Sequence, residues 1–226
     1  MRQQNRAFTL LELIFVIVVI GVLVGVLLPR TRTNPLHEAA IQIVNDIRYV
    51  QHLAFMDDKY DAQDRHWYKG RWQIVFGHNR FSKYKWEYTV FSDSSLSKTV
   101  DLYSGDPKES EIAKNPQNPR QIMTGGYNNT AALDIRNANF KGIQRLNIGQ
   151  KYGITNVRLS GGCRYGRISF DYLGRPLMGD LHTMSGAYNA PTQRLIQRNC
   201  IVTLSHGTDT IKIVITPESG YAYIQQ

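Results

Sequence analysis

The 226-residue chain is short of the residues that build chemical sites. Two cysteines, Cys163 and Cys200, are too few for a zinc framework. Six histidines, His37, His52, His66, His78, His182 and His206, fall in no HExxH or other paired spacing that seats a metal. GxSxG, P-loop and GxGxxG motifs are absent, which removes the nucleophile-elbow hydrolases and the common phosphate-cradling loops. Ser205, His206 and Asp209 crowd one turn, but chain order sets no triad geometry, and the polarity of a surface turn accounts for them. Asp101 to Asp106 (DLYSGD) offers oxygen ligands without the EF-hand spacing or its closing Glu. No catalytic residue, metal or cofactor is therefore assigned. Acids are also scarce: 27 Lys and Arg face 18 Asp and Glu, a formal net charge of +9. A basic surface favours polyanions such as nucleic acid or anionic lipid headgroups and says nothing about fold.

What the chain does have is one long apolar run, Phe8 to Leu28, FTLLELIFVIVVIGVLVGVLL. Its 21 residues make a helix of roughly 31 Å, close to the hydrocarbon thickness of a bilayer. Insertion of its seventeen Leu, Ile, Val and Phe residues is worth roughly −5 to −10 kcal/mol, against about 3 kcal/mol for the one carboxylate, Glu12. A membrane span is expected. Glu12 is the informative residue, because a plain anchor has no use for an acid in its apolar run, and such an acid needs a partner. No cation lies within the span; an amine made by cutting the chain before Phe8 would supply one.

In this stretch the chain resembles the type IV pilin and pseudopilin family. A short basic leader, MRQQNRA, ends in a small residue and is followed by Phe-Thr-Leu-Leu-Glu; Ala7, Phe8, Thr9, Leu10, Leu11 and Glu12 match the family positions. The resemblance implies that a prepilin peptidase cuts between Ala7 and Phe8, that Phe8 is N-methylated, and that Phe8 and Glu12 act in assembly. Ala7 stands where Gly is usual, so slower cleavage is expected. Pro29 matches the family's helix-breaking proline and lacks the N–H a helix needs. A secretory signal peptide is too short and is cut after its apolar core, and an ordinary signal anchor explains neither the acid nor its context. Arg2 and Arg6 on one side balance Arg30 and Arg32 on the other, so orientation rests on the resemblance.

Beyond Pro29, Leu36, Ala40, Ile43, Ile47, Val50 and Ala54 recur at helical spacing, opposite Glu38, Gln42, Asn45, Arg48 and Gln51. Residues 1–7 read as leader, 8–28 as transmembrane helix, 29–58 as its amphipathic continuation and 65–226 as a β-rich periplasmic domain. Arg71 to Phe76 and Tyr84 to Phe91 suggest a hairpin turning at Gly77-His78-Asn79, with Tyr84, Trp86, Tyr88 and Val90 on one half-buried face. Residues 92–160 read as an insertion, strand-like only at Ala132 to Arg136 and Ile143 to Ile148. Strands return at Gly166 to Leu173, Cys200 to His206, Ile211 to Thr216 and Tyr221 to Ile224. The expected fold is α+β, a pilin-like lollipop whose long N-terminal helix packs on an antiparallel β-domain, and the order of elements resembles the GspH/FimT type of minor pseudopilin.

Setting aside Arg2, Arg6 and Glu12 leaves 25 bases against 17 acids outside the membrane. In an exported domain Cys163 and Cys200 form either one disulfide, stabilising by about 4 kcal/mol in the chain-entropy model, or two buried thiols. Between Arg65 and Phe91 nine aromatics interleave with six bases, which suits single-stranded nucleic acid if the rings are exposed, and a hydrophobic core if they are not. Arg80, Lys83 and Lys85 are the candidate contacts. Expected function is a minor pilin or pseudopilin, a non-enzymatic subunit that assembles into or primes a type IV pilus or type II secretion pseudopilus. Its expected partners are other pilins, the prepilin peptidase, the inner-membrane assembly platform and membrane lipid. It would be a single-pass inner-membrane protein before moving to the filament, at its tip. A DNA-binding competence pilin is the alternative, with weak binding, and a membrane-anchored periplasmic enzyme the third reading.

Overall fold

The computed structural model describes residues 9–27, 34–97, 99–187 and 194–225, the side chains of 24–27 excepted. It divides into two units, Met1–Thr33 and Asn34–Gln226. The first contains helix α1, Leu10–Leu27, which is apolar on every side and has no amphipathic stripe. Among the described residues no helix is long and apolar enough to cross a membrane. The described side chains of α1 stop at Leu23, and 14 helical residues reach only about 21 Å. The leader, Ala7, Phe8 and Pro29 lie outside the described residues.

The second unit is α+β. Helix α2, Pro35–Met56, starts where Asn34 Oδ1 accepts a bond from the His37 N–H at 3.1 Å, with Pro35 at the position where a missing N–H costs nothing. Its buried stripe of Leu36, Ala39, Ala40, Ile43, Val44, Ile47, Val50 and Ala54 lies against two antiparallel sheets. One sheet contains β1 (Trp72–Asn79) and β2 (Lys85–Ser92). Two short strands, β3 (Lys114–Asn115) and β4 (Asn118–Ile122), pair with each other, and β5 (Asn156–Gly161) belongs to the second sheet. The first sheet is completed by β6 (Arg167–Phe170) and β7 (Pro176–Met178) in the order β2-β1-β6-β7. The second is completed by β8 (Cys200–His206), β9 (Asp209–Ile215) and β10 (Ala222–Gln225) in the order β10-β9-β8-β5. Ile74, Tyr88, Val90, Ile168, Phe170, Val202, Leu204, Ile213 and Ile215 join the helix stripe in one continuous core.

Several expectations from the sequence change here. The first hairpin does not turn at Gly77-His78-Asn79: those residues stay in β1, and the chain reverses over 80–84. Asn79 is the reason, since its Oδ1 accepts from the Phe81 and Ser82 N–H groups and caps a short 3₁₀ turn. Strand β2 is not half-buried, for Glu87 and Thr89, on the face away from α2, are as buried as Tyr88 and Val90. The segment after β2 covers that face, and Thr124 Oγ1 lies 2.7 Å from Thr89 Oγ1. Ala132 to Arg136 forms turns rather than a strand. Ile143 to Ile148 leads through a 3₁₀ turn into the short helix α3, Ile148–Tyr152, because the Asn147 side chain caps it instead of leaving its backbone for a ladder. Strands β5 and β7 had no strong alternation to announce them.

Candidate functional site

Glu12 does not stand alone at the start of α1. Its Oε2 accepts from the Thr9 N–H and the Thr9 hydroxyl, each at 3.0 Å, while the Glu12 N–H donates to Thr9 Oγ1 at 3.3 Å. The Leu13 N–H closes the first helical bond onto the Thr9 carbonyl at 3.2 Å. This is a capping box, Thr-x-x-Glu, in which two otherwise orphaned donors are satisfied reciprocally. The acid therefore helps to start the helix, its carboxylate held at the Thr9 backbone and hydroxyl. The Thr9-Leu10-Leu11-Glu12 spacing was a legible signal for it, and the box supplies neutral donors to Glu12, not the cation expected for it.

Residues 2–28 match the prokaryotic N-terminal methylation motif. Beyond that match, no curated protein and no solved structure resembles the chain. The motif supports a pilin or pseudopilin and points to a structural subunit processed by a prepilin peptidase and assembled with other pilins, rather than to an enzyme. It ends before the β-bearing unit begins. The roles of Ala7, Phe8 and Pro29 stay expectations.

The β-bearing unit places the remaining predicted residues. Cys163 and Cys200 are bonded. Gly161 is in register with Cys200, so the bridge fastens the link leaving β5 to the start of β8, while β6 lies in the other sheet. Arg80, Lys83 and Lys85 are exposed at the β1–β2 turn. Lys83 and Tyr84 both have positive φ, 57° and 53°, and Tyr84 stands 66% exposed as the one fully outward ring of the aromatic stretch. Trp67, Tyr68, Phe76, Tyr88 and Phe91 are buried, Trp86 donates to the Thr155 carbonyl, and Phe81 lies under Arg80 at 4.7 Å and Arg136 at 5.4 Å. The stretch is mainly core.

Two polar networks escaped the sequence reading. Asp46, on the buried side of α2, accepts from the Tyr88 hydroxyl and from Arg145 Nη1 at 3.1 Å. Gln42 Nε2 donates to the Tyr88 oxygen at 2.6 Å and Tyr152 donates to Gln42 Oε1 at 2.8 Å. Burial pushes the Asp46 carboxyl up, and Tyr88 and Arg145 oppose that push. An acid directly before Ile47 in the apolar stripe was the available signal. Glu87 is the second case: fully buried, with Oε1 unpartnered and Oε2 accepting from Thr89 at 3.1 Å, its carboxyl is pushed up to about 8 by desolvation.

Proposed function

We propose that the chain is a minor pilin or pseudopilin of the GspH/FimT type, held in the inner membrane by the whole of residues 8–28 with its β-domain in the periplasm, then incorporated near the tip of a pilus or pseudopilus. The observation that carries this reading is an apolar helix opened by a Thr-x-x-Glu box directly after a short basic leader, within the matched motif. Cleavage before Phe8 would create an amine four residues from Glu12. On a neighbouring subunit that amine would pair with the Glu12 carboxylate, since neither charge is cheaply left alone in apolar surroundings. One buried ion pair selects an axial stagger that apolar side chains alone would leave degenerate. The assembly platform, the other pilins and lipid are its partners. Intact-mass analysis of protein from cells with an active prepilin peptidase tests the reading. A mature chain beginning at methylated Phe8 is expected, faster in Ala7→Gly, and a chain still beginning at Met1 would sink it.

Weak, sequence-independent DNA contact at the β1–β2 turn is a second reading, favoured by exposed Tyr84 among Arg80, Lys83 and Lys85. A few neutralised phosphates give an affinity that falls steeply with salt. Lys83→Ala with Lys85→Ala should abolish low-salt binding; unchanged binding refutes this reading alone.

A further inference from the structure

We infer that the cavity beside the Cys163–Cys200 bridge binds a phosphomonoester carried on a ring-shaped body, a sugar phosphate or a mononucleotide. The cavity holds about 570 Å³, a size typical of small-molecule sites, and its walls include Arg164, Tyr165, Arg167, Asp180, Thr183 and Arg194. Three guanidiniums face one lining carboxylate, leaving a surplus of two positive charges. A phosphate monoester carries about −1.5 to −2 near neutral pH and accepts the paired N–H donors of Arg with good geometry.

Two of the guanidiniums are held in advance. Arg167 Nη1 donates to the Gly105 carbonyl at 2.6 Å and to Asp180 Oδ1 at 3.1 Å. Arg194 donates to the Asp180 carbonyl and, at 2.6 Å, to Thr183 Oγ1. Asp180 thus serves both, and the next acid, Asp106, lies 3.7 Å from Arg167 with its own side chain 72% exposed, where water screens it. Arg164 meets no carboxylate among the described residues; its guanidinium carbon sits 5.9 Å from the centre of the Tyr165 ring. Among the described residues only Arg167 of the three meets a side-chain carboxylate.

The ring half of the ligand follows from Tyr165. Its side chain is 78% exposed at the cavity rim although a large aromatic gains by burial. Its backbone has φ of 62°, and Arg194, which also lines the cavity, has φ of 63°, a region that bulky residues enter only under strain. Tyr165 and Gly166, with φ of 67°, make the turn that leads into β6, two residues after the bridged Cys163. An exposed ring beside an Arg is a platform for stacking a base or the apolar face of a sugar.

Titration calorimetry on the full chain in detergent micelles, with inorganic phosphate, glucose 6-phosphate and adenosine monophosphate as probes, tests the inference. Saturable binding of at least one ester is expected in a background of chloride at matched ionic strength. Arg164→Gln and Arg194→Gln should each weaken it about tenfold or more, and Tyr165→Ala should weaken the esters while leaving inorganic phosphate unchanged. Among the described residues Arg164 makes no ion pair and its guanidinium sits by the neighbouring Tyr165 ring, so Arg164→Gln keeps the test open even if Arg194→Gln fails to fold. Absence of saturable binding by all three probes, or native affinity in Arg164→Gln, overturns the site. Inorganic phosphate binding as tightly as either ester overturns its ring-bearing half.

Discussion

Helices α1 and α2 are built for different surroundings. In α1 the described side chains from Leu10 to Leu23 are all exposed, Leu11 at 78% and Phe15 at 68%, with no stripe to bury. In α2 one side is sealed against two sheets, and two polar residues beside it bond to the β-bearing unit: Arg48 donates to the Ala222 carbonyl at 2.9 Å, and Gln51 to the carbonyls of Gly174 and Ser219 at 2.8 and 2.7 Å. The β-bearing unit thus carries its own partner for α2, whereas α1 needs surroundings that its own unit does not provide. Stability of the second unit should accordingly be blind to α1.

The largest test of that contrast pairs Ile47→Asn with Ile17→Asn. Ile47 is fully buried in the stripe, and an unsatisfied amide there plus the lost packing should cost about 4 kcal/mol or more. Near-UV circular dichroism melts of the full chain in detergent should show Ile47→Asn grossly destabilised and Ile17→Asn unchanged; equal melts would break the contrast. Next in size is Cys163→Ser, expected to lower unfolding free energy by about 4 kcal/mol at most in denaturant titrations, an effect that reductant reproduces in the native chain.

Glu87 comes third and has a defined pH window. Its folded-state carboxyl, at about 8, lies above its ordinary value of 4.5, so the native state holds the proton more tightly than the unfolded chain. The contribution is full below about 4.5, falls as pH rises toward about 8, and is gone above it. Glu87→Gln should flatten the loss of melting temperature between pH 6 and 9 and stabilise at the alkaline end by roughly 2–4 kcal/mol, since each tenfold change in proton affinity is worth about 1.4 kcal/mol. An unaltered slope would show that Glu87 does not ionise there. Smallest is Thr9→Val, which removes the cap oxygen and should cost about 1 kcal/mol in the first turn of α1 alone. Faster amide exchange at Leu11 and Glu12, with the domain melt unmoved, is the expected result; protection unchanged would deny the capping box.

Much of this was legible along the chain because it depends on near neighbours. The apolar run, the Thr9-x-x-Glu12 box, the α2 stripe, and β1, β2, β8, β9 and β10 all follow from period or from residues a few positions apart. Asn79 shows how local chemistry misleads when one signal outweighs another: Gly77-His78-Asn79 reads as a turn, yet the Asn79 side chain caps the residues after it and moves the reversal to 80–84. Lys83 and Tyr84 take positive φ without a glycine to announce it.

The sequence alone determined an apolar N-terminal helix with an acid at its start, an amphipathic second helix and a β-rich remainder carrying two cysteines, because each is written in the spacing of apolar, capping and turn residues. Only the tertiary structure decided that both faces of β2 are buried, that Asp46 sits under Tyr88, that Glu87 is desolvated beside Thr89, and that Arg164, Arg167 and Arg194 converge on one cavity. Arg167 and Arg194 are 27 positions apart and meet through the pairing of β7 with the chain at Leu195. A residue's spacing records the face it takes on its own element, and what finally covers that face is set by chain segments many tens of residues away.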